Sequence, residues 1–129
     1  MAKPQKTPLP ELLAEYKTLP AQCANTNYAD ADSIKAHNKA VRRMQRLAER
    51  IAQSYDLEGA YALAELLEVT EDGTAEWAAQ HLLENFDVDE TIGERALAVM
   101  EKAAEGDSVE AMGRKAWLLG YMGGDQIDN

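Results

Sequence analysis

Apolar residues recur along most of the chain at spacings of three and four positions, which is the repeat of an amphipathic α-helix. No segment shows the alternation of apolar and polar residues that is typical of a β-strand. The pattern therefore predicts an all-α fold of about six helices. They are expected to begin near Glu11, at Asp32 or Ser33, at Asp56, at Thr74, at Thr91 and after Asp107.

Proline and polar residues indicate where these helices end. The prolines within residues 1–10 predict an extended leader, and Pro20 is expected to kink or interrupt the first helix. The second helix is predicted to be long and to end near Ser54. Residues 11–122 are expected to form a single helical domain, followed by a flexible tail over residues 123–129.

Each predicted helix has an apolar stripe that is expected to face the core. In the second helix the stripe consists of Ile34, His37, Ala40, Val41, Met44, Leu47, Ala48 and Ile51. In the third it consists of Leu57, Ala60, Leu63, Ala64 and Leu67, and in the last of Val109, Met112, Gly113, Ala116 and Leu119. Thr91 and Glu94 have the spacing of a capping box, and Asp107 with Glu110 supports the start of the last helix.

The last four predicted helices contain an internal repeat. Residues 62–64 match residues 96–98, Glu71 matches Glu105, and Glu76 matches Glu110. Two helix hairpins of equal length indicate a stack in which each hairpin buries a face against its neighbour.

Residues 108–120 resemble the second helix of a HEAT-type repeat, with a capping residue, spaced small residues and a terminal Leu-Gly, and residues 74–83 are a looser copy. Together with residues 36–40, Met44 and Ile51, the layout is similar to a bacterial family of short HEAT-like proteins of unknown function (DUF2019). The resemblance covers roughly residues 11–122 and departs from the pattern at Pro20. It implies a short HEAT-like α-α superhelix and a bacterial, cytoplasmic origin, but it assigns no active-site residue.

The net charge of −10 over 129 residues is unevenly distributed. Residues 1–54 hold nine basic and five acidic side chains, a net of +4, whereas residues 55–129 hold four basic and eighteen acidic ones, a net of −14. Global acidity argues against a dedicated DNA-binding domain, and the one-sided negative field favours a cationic partner. The alternative is that the acidic side chains only solvate helix surfaces.

Several classes of protein are excluded by composition. The single cysteine, Cys23, cannot form an intrachain disulfide framework. The amino terminus lacks the apolar stretch of a secretory signal, and no apolar run reaches the length of about 18 residues that a transmembrane helix requires. The sequence therefore predicts a soluble cytoplasmic protein.

No recognisable catalytic or metal-binding pattern occurs in the sequence. His37 and His81 lack the spacing of metal ligands, and Cys23 is expected to be a small core residue, so we expect no metal, no cofactor and no enzymatic activity. His37 is expected to be packed and hydrogen-bonded. His81 shares a helix side with Trp77 and Glu84, which is either a solvated binding edge or a partly buried contact between repeats.

Two surfaces remain as candidates for binding a protein. Trp117 and Tyr121, flanked by Glu110 and Arg114, either face outward as interface anchors or close the end of the stack. The other surface is the acidic second half, where the HEAT analogy places the second helix of each hairpin on the concave side. The complete candidate set is Glu76, Trp77, Gln80, His81, Glu84, Asp87, Glu110, Arg114, Trp117 and Tyr121.

The leading hypothesis is a non-enzymatic protein-binding module that acts as a monomer or weak dimer. Its most concrete form is an acidic immunity or antitoxin-like inhibitor of a basic bacterial toxin domain. The alternative is a nucleic-acid-associated regulator that uses the basic face of the second helix, formed by Lys35, Lys39, Arg42, Arg43, Arg46 and Arg50. No aromatic residue is interleaved with these cations, which argues against nucleic acid as the partner.

Overall fold

The structure is a computed structural model that describes residues 7–123 of the chain. These residues form five α-helices and no strand, which confirms the all-α prediction but corrects the number of helices. The helices are α1 (Leu9–Ala24), α2 (Ala31–Glu65), α3 (Thr74–Asn85), α4 (Glu90–Ala103) and α5 (Val109–Gly123). Most of the predicted leader and the predicted tail after residue 123 lie outside the described residues.

The second and third predicted helices are one element, α2, that bends at Asp56. Asp56 has φ 47° and ψ −119°, which are non-helical values, so the predicted helix start is a kink inside a longer helix. Gly59, one turn later, is buried at this bend. A Cβ atom at Gly59 would overlap Ile51 Cγ2 and lie 3.1 Å from the Ile51 carbonyl oxygen, so glycine permits the close packing of the two halves.

Helix α1 contradicts two predictions that were based on proline. It begins at Leu9, with Pro8 as N-cap and Pro10 in its first turn, so the end of the predicted leader is helical. It also continues through Pro20, which is buried, so of the two predicted effects of Pro20, a kink or an interruption, the interruption is wrong. Proline removes one backbone hydrogen bond from the helix, and the packing of α1 against α2 offsets this loss.

The helix caps differ from the predicted ones by one or two residues. Asp30, rather than Asp32 or Ser33, caps α2, because its Oδ1 accepts from the Asp32 backbone N–H at 3.3 Å. Asp89, rather than Thr91, caps α4 by accepting from the backbone N–H of Ile92 at 2.8 Å. Asp107 is not the capping residue of α5, since Ser108 Oγ accepts from the Ala111 N–H at 3.0 Å. In each case the oxygen that reaches the free N–H groups determines the start of the helix.

The core runs between successive helices, each of which packs against the next. The predicted stripe of α2 is confirmed at its centre, where five residues are buried: Ala40, Met44, Leu47, Ala48 and Ile51. Helix α1 packs on α2 and also contacts α3, which places Tyr16 against the middle of the molecule. Leu57, after the kink, is an error of the prediction, because 54% of its surface is exposed.

The predicted core stripe of α5 is wrong. Val109, Met112 and Leu119 are 66%, 61% and 70% exposed, and Gly113 and Ala116 on the same stripe are exposed as well. The residues that face the rest of the protein are instead Ala111 and Leu118, with Arg114 and Trp117 partly buried beside them. Arg114 and Trp117 each carry a polar group at the end of the side chain. Because they face inward, the buried side of α5 is not the apolar stripe from which the helix was predicted.

Two adjacent leucines test this orientation of α5. We expect Leu118→Ala to lower the free energy of unfolding by about 2 kcal/mol, because Leu118 is in the core. Leu119→Ala should change it by less than about 0.5 kcal/mol, since the side chain is largely in water. Urea denaturation of both variants measures the difference, and a larger loss for Leu119→Ala would show that the stripe predicted from the sequence is the buried one.

Candidate functional site

Side chains of α3 and α5 are joined by two polar contacts. Arg114 Nη1 donates to Gln80 Oε1 at 2.8 Å, and Trp117 Nε1 donates to Glu84 Oε2 at 2.8 Å. Gln80 and Arg114 are 34 positions apart, which is the offset of the internal repeat. The structure thus brings together the two helices whose residues formed the predicted binding surface.

Arg114 lies at the centre of this arrangement. Its guanidinium carbon lies 4.3 Å from the centroid of the Trp77 ring, within the range of a cation–π contact. Burial lowers the pKa of Arg114, while Glu76 and Glu84 act in the opposite direction. Among the described residues the only ion pair joins Arg43 and Glu15, so Arg114 is held by Gln80 and Trp77 without a direct carboxylate partner.

Two adjoining clefts form one depression along this surface. The first has a volume of about 410 Å³ and extends to the carboxyl end of α1 and the turn before α3. The second has a volume of about 450 Å³ and extends along α5 to Trp117. We call the combined depression the α3–α5 groove, and the residues that line both of its parts are Tyr28, His37, Trp77, Glu110 and Arg114.

The first cleft of the groove is predominantly acidic. Asp72, Glu105 and Glu110 are exposed carboxylates on its wall, and Glu76 is partly buried beside Trp77. Glu76 Oε2 is buried and has no hydrogen-bond partner among the described residues. Such a group is costly to leave unpaired, so the cleft favours a ligand that donates hydrogen bonds.

His81 supports the groove from beneath and is completely buried. Its Nδ1 lies 2.6 Å from the Tyr16 hydroxyl, and its ring lies nearly parallel to Trp77, with 6.1 Å between the centroids. Burial lowers the pKa of His81 to about 4 and raises that of Tyr16. We therefore assign Tyr16 as the donor to a neutral imidazole. His81 is a buried contact between α3 and α1, which is neither a solvated edge nor the contact between repeats proposed above.

The two aromatic residues at the end of α5 differ in exposure, so neither predicted role, outward-facing anchor or closure of the stack, applies to both. The rings of Trp117 and Tyr121 stack with centroids 5.0 Å apart and an interplanar angle of 11°. Trp117 is partly buried and lines the groove, where its hydrogen bond to Glu84 fixes the indole. Tyr121 is 43% exposed, so it extends the aromatic surface outward from Trp117.

Some predicted residues lie elsewhere, and some groove residues were missed. Asp87 is exposed in the connection before α4 and lines none of the clefts described above. Tyr28 comes from the connection between α1 and α2, and His37 from the first turns of α2, where Thr26 Oγ1 lies 2.9 Å from its Nδ1. The hydrogen bond confirms the packed role predicted for His37, but its place in the groove follows only from the tertiary fold.

Cys23 also lines the first cleft. It is buried as predicted, and burial raises the pKa of its thiol, which opposes formation of the nucleophilic thiolate.

The basic face of α2 is a separate surface. Five of its six cations are exposed: Lys35, Lys39, Arg42, Arg46 and Arg50. Arg43 instead donates two hydrogen bonds to Glu15 of α1, at 2.5 and 2.8 Å. This contact lowers the pKa of Glu15 and raises that of Arg43. One of the six predicted cations therefore joins α1 to α2.

No group of three metal-binding side chains lies together within residues 7–123. None of the helices in that part of the chain is long and apolar enough to cross a membrane. Comparison with protein families, with curated proteins and with solved structures finds no match to this chain.

Proposed function

We propose that this protein is a non-enzymatic binding module whose α3–α5 groove recognises a basic protein. In its most concrete form it is a cytoplasmic, immunity-type inhibitor that masks a cationic bacterial toxin domain, built as a short HEAT-like solenoid. The observation that carries the proposal is the groove itself, in which aromatic side chains from three parts of the chain meet a predominantly acidic wall.

The composition of the groove suits protein recognition. Trp77, Trp117 and Tyr28 offer large, partly exposed rings, and aromatic residues of this kind contribute most of the binding energy in many interfaces. The hydrogen bond to Glu84 holds Trp117 in place before a partner arrives, and the one to Gln80 holds Arg114 over the ring of Trp77. Preorganisation of this kind reduces the entropy lost on binding.

The charge of the chain supports a basic partner. Residues 55–129 carry a net charge of −14, and three of their exposed carboxylates, Asp72, Glu105 and Glu110, line the groove. Negative potential at the groove accelerates encounter with a cationic protein and is weakened by salt. Inhibition then requires only that the bound module cover the active surface of the toxin domain.

Two charge reversals of equal size test the proposal. Glu110 lines the groove, whereas Glu94 is exposed on α4 outside it. Calorimetric titration with purified basic toxin domains encoded beside this protein should give tight binding at low salt. We expect Glu110→Lys to weaken it at least tenfold, or about 1.4 kcal/mol, and Glu94→Lys to weaken it much less. Binding that neither salt nor Glu110→Lys alters, or no binding to any such domain, would contradict the proposal.

The nucleic-acid hypothesis depends on the basic face of α2, and charge reversal on that face distinguishes it from the proposed function. Five exposed cations along α2 could contact phosphates. A nucleic-acid regulator would lose affinity for DNA or RNA on Arg42→Glu and Arg46→Glu, whereas an inhibitor of a basic protein would retain its partner in that double variant.

A further inference from the structure

The first cleft of the α3–α5 groove is large enough to admit a side chain of a partner. Its volume of about 410 Å³ lies within the range of small ligand sites. All five helices contribute to it, together with the α1–α2 connection, the turn before α3 and the α4–α5 connection. The walls are thus fixed by the fold rather than by one mobile loop.

The lining specifies the charge of the occupant. Three exposed carboxylates, those of Asp72, Glu105 and Glu110, stand on the wall, and Glu76 stands deeper, with its Oε2 removed from solvent and without a partner among the described residues. The guanidinium of Arg114 offsets one of these four negative charges, and it is engaged by Gln80 and the Trp77 ring. The excess of carboxylates favours a cation that can donate a hydrogen bond to Glu76.

The aromatic residues of the pocket specify the shape of that cation. Tyr28 is 49% exposed, and its ring lies 5.8 Å from His37, centroid to centroid. Trp77 of α3 also lines the pocket, and the guanidinium of Arg114 covers one face of its ring. Aromatic rings accept a planar guanidinium by stacking, and a carboxylate accepts two parallel N–H groups from it, whereas an ammonium offers only a point charge.

We propose that this pocket receives one arginine side chain of the basic partner, with its guanidinium donating to Glu76 and stacking on the exposed ring of Tyr28. The inference rests on the proposed function, because it names the group through which the partner is anchored. It assigns to Glu76 a direct contact with the partner and to Tyr28 the contact with a flat face of the guanidinium.

The probe is Nα-acetyl-arginine methylamide, titrated into the isotope-labelled full-length protein and followed by NMR. We expect saturable shifts of the Gly73 amide and of the Trp77 indole N–H, which belong to the pocket, and little change at the Trp117 indole, which does not line it. The citrulline analogue, neutral and of nearly the same shape, should cause no saturable shift. The lysine analogue should bind several-fold more weakly than arginine.

Matched variants test whether Glu76 contacts the guanidinium of the probe. Glu76→Gln should weaken arginine binding at least tenfold, and Glu94→Gln, on the surface of α4, should leave it unchanged. Glu110→Gln provides a second pocket variant if Glu76→Gln does not fold. No saturable shift, equal binding of citrulline, unchanged binding by both pocket variants, or preferential binding of the glutamate analogue at Arg114 would each overturn the inference.

The two proposals fail in different ways. If a basic toxin domain binds and Glu110→Lys weakens it, but the arginine probe does not bind, the proposed function stands and the arginine pocket is wrong. If the arginine probe binds in the pocket but no basic protein is bound, the proposed function is wrong.

Discussion

Acidification from pH 7 to pH 4 is expected to lower the free energy of unfolding by about 3 kcal/mol through His81 alone. The pKa of His81 is lowered from 6.5 to about 4 in the folded protein, first by burial and then by the charge of Arg114. As the pH falls below 6.5, the unfolded chain binds a proton that the folded protein excludes. Stability due to neutral His81 is therefore complete above pH 6.5 and is lost progressively towards pH 4.

The measurement compares two histidine variants with the original protein by urea denaturation at pH 7, 5.5 and 4. His81→Gln removes the titrating group while keeping an acceptor for Tyr16, so it is less stable at pH 7 but approaches the original protein as the pH falls. The paired carboxylate of Glu15 contributes to acid sensitivity in both proteins and cancels in the comparison. His37→Gln, which replaces the only other histidine, is the matched control variant. A constant gap between the original protein and His81→Gln at all pH values would contradict the assignment.

Alanine is expected to have opposite effects at two helical glycines. Gly59→Ala should destabilise the protein by about 3 kcal/mol, because the new methyl group overlaps the buried Ile51 at the bend of α2. Gly113→Ala should stabilise it by about 0.5–1 kcal/mol, since nothing lies within 4 Å of a Cβ there and alanine favours the helix. Denaturant midpoints and slopes of the two variants measure these effects.

The comparison separates the intrinsic helix preference of alanine from the space available to it. The same chemical change inside a helix lowers stability in one case and raises it in the other. Equal effects of the two substitutions would show that the bend at Asp56 does not require glycine three residues later.

Local patterns in the sequence predicted the helices well where an apolar stripe was buried. Residues from Ala40 to Ile51 were placed correctly, because the middle of α2 lies between α1 and the rest of the core. The observed caps differ from the predicted ones, because more than one side-chain oxygen near each of these starts can accept from a free N–H, and only the backbone geometry selects one. Pro20 was misjudged, because tertiary packing outweighs the loss of one helical hydrogen bond.

The sequence predicted only part of the candidate site. The internal repeat placed Gln80 and Arg114 at equivalent positions, and the structure joins them directly. The same Arg114, with Trp117, explains the error in α5, because a stripe of apolar residues does not reveal polar groups that find partners on a neighbouring helix. Tyr28 and His37 could not be assigned to the site from the sequence, since they come from segments remote from α3 and α5.

The position of α5 at the end of the chain of packed helices has a consequence for recognition. Part of the surface offered to a partner belongs to α5, which packs mainly on α4 and leaves Val109, Met112 and Leu119 in water. Local opening of that element would take Arg114 and Trp117 away from Gln80 and Glu84. A ligand bound between α3 and α5 therefore holds α5 in place, and slower amide exchange in α5 reports how much of the site is occupied.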